Sequence, residues 1–216
     1  MQMKKVILFQ GDSITDSGRR NEWGSNMGFG YATMTAGALG VSEPYAYEFI
    51  NKGVSGNRIV DLYALIKKDF INLKPDYLSI LIGVNDVWHE IAEHNGVDAE
   101  KFEMVYCLLI EELKAALPEL KIMILEPFAL AADVTDPADK PERYPLFRKE
   151  TELRAQAAKR VAEKYGLVFV PLQEAFDKAE AGAPERGQWL WDGVHPTAAG
   201  HTLIKEAWLK GFAQLK

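Results

Sequence analysis

The chain has 216 residues, of which 48% are hydrophobic and 26% are charged, and these values exclude a disordered protein. Its 25 basic and 31 acidic residues give a net charge of −6 without any basic cluster, so nucleic acid is not an expected partner. The single cysteine, Cys107, excludes an intrachain disulfide and is most simply a core residue, because it lies inside an apolar helical run.

Short apolar runs alternate with helical patterns along the chain. Three longer stretches carry apolar residues every three or four positions, and the pattern predicts helices over Phe102–Leu117, Leu146–Tyr165 and Pro196–Phe212. Gly166 is expected to end the second of these helices, and Pro196 is expected in the first turn of the third. Five short runs, most of them apolar at nearly every position, predict parallel strands that are covered on both faces: Val6–Phe9, Tyr45–Ile50, Tyr77–Ile82, Ile122–Leu125 and Leu167–Val170.

This alternation predicts right-handed β-α-β units in a single three-layer α/β/α domain that spans residues 1–216. Ligands of such folds bind beyond the carboxyl ends of the strands. One segment, Glu126–Pro145, matches neither pattern and carries four prolines. It follows the carboxyl end of a strand, and loops of this length are usually functional or mobile, so we expect it to overhang the ligand site.

Polar residues follow the first three strands. Ser13 comes directly after the first strand and Gly11, at the point where a helix should begin; it could be an exposed nucleophile or simply a helix cap. In the segment 51–58, Gly56 could let a backbone N–H approach a ligand, or it could only form a turn. Asn85 follows the third strand and could donate its amide to a developing oxyanion, although Asn-Asp is also common in turns.

Asp192 and His195 are three residues apart, just before the last predicted helix. A turn there would let the carboxylate accept the Nδ1 proton of His195 and direct Nε2 outward, as in the base and orienting residue of a hydrolytic triad. The alternative is a capping aspartate beside a surface histidine. Each signal is modest alone, but all of them fall on the same edge of one sheet, and together they supply a nucleophile, a base, an orienting carboxylate and oxyanion donors.

Four segments in this order resemble the sequence blocks of the SGNH hydrolases, also called GDSL esterases: Gly11-Asp12-Ser13, Gly56, Gly83-x-Asn85-Asp86 and Asp192-x-x-His195. The resemblance implies a five-stranded parallel sheet of the flavodoxin-like order 2-1-3-4-5. It implies Ser13 as nucleophile, His195 as general base and Asp192 as its orienting residue. It also implies an oxyanion hole formed by the backbone N–H groups of Ser13 and Gly56 and by the Asn85 side chain. The longer strings GDSITDSGRR, NKGVSGNRIVDL, PDYLSILIGVNDVW and WDGVHPT are similar to bacterial carbohydrate acetylesterases of the acetyl-xylan esterase type.

Aromatic residues near these motifs suggest walls of a sugar pocket. Trp23, Trp88, Trp189 and Trp191 all lie close to the motif loops, and aromatic faces suit sugar rings as well as plain pocket walls. We expect Arg58, Tyr31, Trp88 and Trp191 in the substrate pocket, although Arg58 could instead pair with Asp12 or Asp86. No metal or other cofactor is expected. The segment His89–His94 resembles a zinc-protease motif, but its histidines are five residues apart and would not share one helix face.

The expected activity is therefore that of a serine esterase that removes acetyl groups from carbohydrates such as acetylated xylo-oligosaccharides. Alternatives are a lysophospholipase or thioesterase with the same triad, or a catalytically silent carbohydrate-binding protein. No apolar run reaches the roughly 18 residues of a membrane span, and the N-terminal apolar run is too short for a signal peptide. We therefore expect a cytoplasmic protein with a small acylated substrate, no membrane or nucleic-acid partner, and a plausible homo-oligomeric state.

Overall fold

The centre of the fold is a five-stranded parallel sheet. The structure is a computed structural model that describes residues 4–19 and 27–216. The strand order is β2-β1-β3-β4-β5, which is the predicted flavodoxin-like order. The strands are β1 (Lys5–Gly11), β2 (Tyr47–Asn51), β3 (Tyr77–Leu81), β4 (Lys121–Leu125) and β5 (Val168–Val170).

Helices cover both faces of this sheet. They are α1 (Ser13–Asp16), α2 (Tyr31–Ser42), α3 (Ile59–Ala64), α4 (Ile66–Asp69), α5 (Val84–Glu93), α6 (Ala99–Ala116), α7 (Arg143–Tyr165), α8 (Gln173–Glu180) and α9 (Ala198–Leu215), with a 3₁₀ turn at Ile71–Leu73. Ile7 and Phe9 of β1 are buried in the same cluster as residues of α2, α8 and α9. Leu8, between them, is buried on the other face with residues of α3, α6 and α7. Successive side chains of a strand are thus buried alternately in two cores, one on each face of the sheet, which explains why the strands are apolar at nearly every position.

The predicted elements are confirmed, with shifts at their ends. β2 begins at Tyr47 and not at Tyr45, because Tyr45 has a left-handed backbone (φ +65°) that a strand does not allow. Gly166 ends α7 with φ +64°, as expected. The last helix begins at Ala198, where the Thr197 side chain accepts the N–H of Gly200, so Pro196 lies before the helix and not in its first turn.

The first part of the segment that follows β4 does not overhang the ligand site, which corrects that expectation for residues 128–135. Its apolar residues Phe128, Ala129, Leu130 and Ala132 are buried, whereas residues 138–142 are exposed. The Leu130 N–H donates to the carbonyl of Gly193 at 2.9 Å, and the Thr135 hydroxyl donates to the carbonyl of Leu130 at 2.6 Å. Residues 128–135 therefore pack against the turn that carries Asp192 and His195 and support it.

Cys107 is half-buried at the edge of a core cluster, with its Sγ 3.6 Å from the Lys164 Nζ, and is not a fully buried core residue. Among the helices of residues 4–19 and 27–216, none combines the length and the apolar character that crossing a bilayer requires.

Candidate active site

Ser13 lies at the carboxyl end of β1 because the chain turns sharply after Gly11. Gly11 has φ +156°, and a Cβ at this position would lie 2.2 Å from the carbonyl oxygen of Leu81 on the neighbouring strand. Only glycine therefore fits between the two strands here. Asp12 caps the short helix α1 by accepting the N–H of Ile14 at 2.9 Å. Ser13 is the first residue of that helix, so its N–H has no intrahelical acceptor and faces the same edge as its hydroxyl.

His195 is held against Ser13 by a tight turn that precedes α9. The Ser13 Oγ lies 2.8 Å from the His195 Nε2, and the His195 Nδ1 lies 2.6 Å from an Asp192 carboxylate oxygen. The other Asp192 oxygen accepts the backbone N–H groups of Val194 and His195 at 2.9 and 2.7 Å. One carboxylate therefore fixes both the turn and the imidazole that the turn carries, which leaves Nε2 to accept the Ser13 proton.

Gly193 lets this turn pack against the segment beneath it. It has φ +96°, and a Cβ would lie 2.1 Å from the Thr135 Oγ1 and 2.6 Å from the carbonyl oxygen of Leu130. The close approach permits the Leu130 N–H to reach the Gly193 carbonyl. The orientation of Asp192 and His195 thus depends on a backbone conformation that L side chains rarely adopt.

The loop after β2 is tied to α1 by two polar side chains. The buried Asn51 side chain donates to the carbonyl of Thr15 at 2.6 Å and accepts the N–H of Gly53 at 2.9 Å. The Asp16 carboxylate accepts both the N–H and the hydroxyl of Ser55 at 3.1 Å. These bonds place Gly56, with φ +86°, beside Ser13 at the rim of one cavity.

Asn85 is in the first turn of α5, and its side chain is oriented by the same loop. The Asn85 Nδ2 donates to the carbonyl of Asn57 at 3.1 Å. An amide has two such hydrogens, so the second remains to serve a ligand oxygen. In the described residues, the N–H groups of Ser13 and Gly56 donate to no other protein group. Ser13, Gly56 and Asn85 all line one cavity, and each has an N–H that no other group of the described residues accepts.

Opposing effects act on the protonation of His195 and Asp192. Burial lowers the pKa of His195, but the hydrogen bond and the charge of Asp192, with a contribution from Asp12, outweigh it and raise the pKa above its usual 6.5. For Asp192, burial raises the pKa, and the bonds from the His195 ring and from the N–H groups of His195 and Val194 outweigh it, so the pKa is lowered. The pair therefore favours an ionised carboxylate beside a more basic imidazole.

Two buried carboxyl groups, Asp12 and Asp86, lie behind these loops. Burial raises the pKa of each to about 7, and the charge of Asp12 contributes to the shift of Asp86. One Asp86 oxygen accepts the N–H of Ile59 at 3.1 Å, which joins α5 to the start of α3. The second oxygen of each carboxyl group is buried without a hydrogen-bond partner in the described part of the chain. Both groups therefore stay protonated well above the pH at which an exposed carboxyl group ionises.

Two cavities meet at the Ser13–His195 pair. The first, of about 280 Å³, is lined by Ser13, Ser55, Gly56, Asn85, Trp88, His89, Glu93 and His195. The second, of about 430 Å³, is lined by Ser13, Ser17, Gly18, Phe29, Trp191, His195, Pro196, Ala198 and His201. A ligand whose reacting carbon lies at the Ser13 hydroxyl can therefore extend in two directions.

The residues expected in the substrate pocket divide into two pairs. Trp88 lines the first cavity, and its ring lies 6.0 Å from the His195 ring. Trp191 is 59% exposed, lines the second cavity and stacks on His195 at 5.5 Å. Tyr31 lines neither of these two cavities: it is fully buried, and its hydroxyl bonds the Thr15 hydroxyl at 2.9 Å. Arg58 lines neither of them either.

Arg58 is held by acceptors outside the pocket. Its guanidinium bonds the Asp61 carboxylate at 3.0 Å and the carbonyl of Asn95 at 2.6 Å. The expected alternative, a pair with Asp12 or Asp86, is not formed either; the pKa of Arg58 is raised mainly by its hydrogen bond with Asp61, and the charge of Asp86 only adds to this. Of the other tryptophans, Trp189 packs half-buried against the core and Trp208 is fully buried, while Trp23 lies outside the described residues.

Sequence reasoning did not assign pocket roles to His89, Glu93 and His201. The first two are four and eight residues after Asn85, so helical spacing from Asn85 could have found them. His201 has no comparable signal: its Nδ1 accepts the Tyr31 N–H at 3.2 Å, and its Nε2 lies 3.3 Å from the Ser17 hydroxyl. Burial and the proximity of His195 lower the pKa of His201 to about 4, so it is neutral at pH 7.

The arrangement is suited to acyl transfer. It offers a hydroxyl nucleophile, an imidazole that can take its proton, a carboxylate that orients the imidazole and three hydrogen-bond donors for an oxyanion. In residues 4–19 and 27–216, no three His, Cys, Asp or Glu side chains are grouped so that they could hold a metal ion.

Comparison with known proteins agrees with this chemistry. The sequence profile of the GDSL-like lipase/acylhydrolase family matches residues 9–203. An acetylxylan esterase of Geobacillus stearothermophilus is 33% identical over 214 residues, which cover 94% of this chain and 92% of that protein. The crystal structure of a Parabacteroides merdae protein assigned as a GDSL-like lipase has a TM-score of 0.85 at 35% identity, covering 100% of this chain and 99% of the other. The crystal structure of Axe2, an acetylxylan esterase from Geobacillus stearothermophilus, has a TM-score of 0.82 at 31% identity, covering 98% and 96%.

The two histidines at the site are expected to titrate in opposite directions. In a histidine-selective NMR titration, the midpoint of His195 should lie above 6.5, because the Asp192 carboxylate stabilises the imidazolium. His201 should titrate near pH 4, because burial disfavours its charged form. Asp192→Asn should lower the midpoint of His195 while that of His201 stays near 4. A His195 midpoint below 6.5 in the unaltered protein would contradict the assigned electrostatics.

Ionisation of Asp86 is expected to destabilise the fold. Its folded-state pKa is raised to about 7 from 3.8, so its stabilising contribution is complete below 3.8 and is lost as the pH rises through 7. Asp86→Asn keeps the shape and cannot ionise. In thermal unfolding, the variant should gain stability relative to the unaltered protein between about pH 5 and about pH 8, by a few kcal/mol at most. Asp139→Asn, at an exposed position, is the matched control, and parallel pH curves for Asp86→Asn and the unaltered protein would refute the expectation.

Proposed function

Because this chain belongs to the GDSL-like lipase/acylhydrolase family and is a carboxylic ester hydrolase, we propose that it removes acetyl groups from carbohydrate hydroxyls, as in acetylated xylo-oligosaccharides. Ser13 is the nucleophile of this proposal, His195 the general base and Asp192 its orienting residue. The observation that carries it is the continuous hydrogen-bonded chain from the Ser13 hydroxyl through the His195 ring to the Asp192 carboxylate, at 2.8 and 2.6 Å.

The proposed substrate rests on the relatives. The curated relative that is 33% identical over most of the chain is named an acetylxylan esterase. Solved structures of Axe2 include two variants described as catalytic mutants, in which a serine and an aspartate are each replaced by alanine. These descriptions support a serine and an aspartate as catalytic groups, and Ser13 and Asp192 are the residues that the geometry favours for those roles.

Acylation begins when the Ser13 Oγ attacks the carbonyl carbon of the acetyl ester. His195 takes the hydroxyl proton on Nε2, and the resulting imidazolium is stabilised by Asp192. Negative charge develops on the carbonyl oxygen, where the N–H groups of Ser13 and Gly56 and the second Asn85 amide hydrogen can donate. The tetrahedral intermediate collapses when His195 returns the proton to the leaving sugar oxygen, and the acetyl group remains on Ser13.

Deacylation repeats these steps with water. His195 takes a proton from a water molecule, whose oxygen attacks the acetyl-serine carbonyl, and the same donors bind the second oxyanion. Collapse of this intermediate releases acetate, and His195 gives the proton back to the Ser13 oxygen. Because His195 must be neutral at the start of both halves and its pKa is raised, the rate should fall as the pH drops toward and below neutrality.

Ser13→Ala tests the nucleophile and the chain-length preference together. With p-nitrophenyl acetate, butyrate, octanoate and palmitate, the unaltered protein should prefer acetate steeply. The variant should keep only a residual acceleration on the order of 10³–10⁴ over water. Ser42→Ala, at the exposed end of α2, is the matched control and should be unaffected. Activity that survives in Ser13→Ala would refute the nucleophile, whereas Ser13-dependent preference for long chains would favour the lysophospholipase or thioesterase alternative.

Asn85→Ala tests the oxyanion site. Loss of this donor should lower kcat by about 10²–10³, because the bond is strongest when the oxyanion forms. Asn85→Asp keeps the size of the side chain but has no amide hydrogen, and its carboxylate would repel the oxyanion, so it should lose at least as much. Asn72→Ala, at an exposed position remote from the site, should change neither constant. A change in KM without a change in kcat would contradict the assigned role.

A further inference from the structure

The helix α5 presents a polar stripe to the first cavity. Asn85, His89 and Glu93 are spaced by four residues, so they follow one another along the same side of the helix. All three line the cavity that contains Ser13, together with Trp88. The proposed mechanism uses only Asn85, and it gives no role to the imidazole of His89 or the carboxylate of Glu93.

Neither side chain is committed to the framework of the fold. In the described part of the chain, no hydrogen bond or ion pair is formed by the His89 ring or by the Glu93 carboxylate; His89 interacts only through its charge with the Asp61 carboxylate, which is already bound by Arg58. The other polar group beside them, the Ser55 hydroxyl, already donates to Asp16. His89 is half-buried and Glu93 is exposed, so the stripe runs from the reacting atoms to the open rim of the cavity.

The length of the stripe decides which part of a substrate can lie on it. Glu93 is eight positions after Asn85 on the helix, which corresponds to a rise of about 12 Å at 1.5 Å per residue. An acetyl group has two carbon atoms and ends close to Asn85, where its carbonyl oxygen must lie. The part of the substrate that reaches Glu93 must therefore belong to the alcohol that leaves.

The chemistry of the stripe agrees with a hydroxyl-bearing alcohol. An apolar chain on this surface would desolvate an imidazole and a carboxylate without giving them partners, which costs free energy. Sugar hydroxyls can both donate to the Glu93 carboxylate and bond the His89 ring. Trp88 lines the same cavity next to His89. Ligand sites commonly combine aromatic walls with a few polar groups in this way.

We propose that His89 and Glu93 are the specificity-determining residues of this enzyme: they bind hydroxyl groups of the leaving carbohydrate, His89 on the acetylated sugar unit and Glu93 on a neighbouring unit. The inference rests on the proposed function and deepens it. It means that acetylated oligosaccharides are better substrates than acetylated monosaccharides, because only the longer ligand reaches the outer end of the stripe.

The test compares three esters that share the acetyl group: p-nitrophenyl acetate, an acetylated xylose and an acetylated xylotriose. Relative to p-nitrophenyl acetate, His89→Leu should lower kcat/KM for both sugar esters by about 10-fold, the order expected for one lost hydrogen bond. Glu93→Leu should lower the ratio of kcat/KM for the sugar ester to kcat/KM for p-nitrophenyl acetate by a similar factor, and only for the trisaccharide. Glu119→Leu, on an exposed position at the opposite edge of the sheet, is the control and should leave every ratio unchanged.

Conservative variants separate hydrogen bonding from charge and from positioning. Glu93→Gln keeps an acceptor and adds a donor, so it should retain most of the activity on the trisaccharide. Loss in Glu93→Gln equal to that in Glu93→Leu would overturn the proposal in favour of a cationic ligand. Equal losses on all three esters in the Leu variants would overturn it too, because the residues would then act on Asn85 or His195 and not on the sugar.

The same experiment distinguishes this inference from the function on which it rests. Unaltered protein that cleaves both sugar esters, with ratios unchanged in the Leu variants, overturns the roles of His89 and Glu93 alone. Unaltered protein that cleaves p-nitrophenyl acetate in a Ser13-dependent manner but neither sugar ester overturns the carbohydrate substrate and this inference together.

Discussion

The close approach of β1 and β3 at their carboxyl ends is the constraint on which the site depends. Gly11 is paired with Leu81, and nothing larger than a hydrogen fits on its α-carbon. Because the two strands leave the sheet side by side, Ser13 begins α1 next to the start of α5, which carries Asn85. A larger residue at position 11 would separate the Ser13 hydroxyl from the Asn85 side chain even if every polar group were retained.

Most polar side chains around this edge are used to hold backbone and not to face a ligand. Asn51 and Asp16 fix the loop before Gly56, Asp61 and Arg58 fix its far end, and Asp86 ties α3 to α5. Each of these bonds satisfies a backbone group that would otherwise be buried without a partner. Among the described residues, the groups that remain available in the first cavity are therefore few: the Ser13 hydroxyl, the N–H groups of Ser13 and Gly56, one Asn85 hydrogen, and the ends of the His89 and Glu93 side chains. Because most polar groups hold the backbone, only these few can bind a ligand in the cavity.

The fold could be predicted because parallel strands buried on both faces are apolar throughout, and because each polar motif follows a strand. The pocket walls could not be predicted in the same way. Tyr31 is near the motifs in sequence, but its ring turns into the core, and one of the two acceptors that hold Arg58 lies 37 residues away at Asn95. The segment after β4 contains the apolar run Phe128–Leu130, which indicates burial beneath the site. Its four prolines and its length predict an exposed loop instead, and these two signals conflict.

The electrostatic balance at His195 follows from the same packing. Trp88 and Trp191 lie against its ring, and this burial alone would make the imidazole a weaker base. Asp192 reverses the effect because its own charge is held by two backbone N–H groups of the turn and so persists in a buried place. The turn itself is held against the segment after β4, because the Leu130 N–H donates to the carbonyl of Gly193. The basicity of the imidazole therefore depends on backbone contacts that extend from the turn of Asp192 and His195 to the buried residues after β4, none of which lines either cavity.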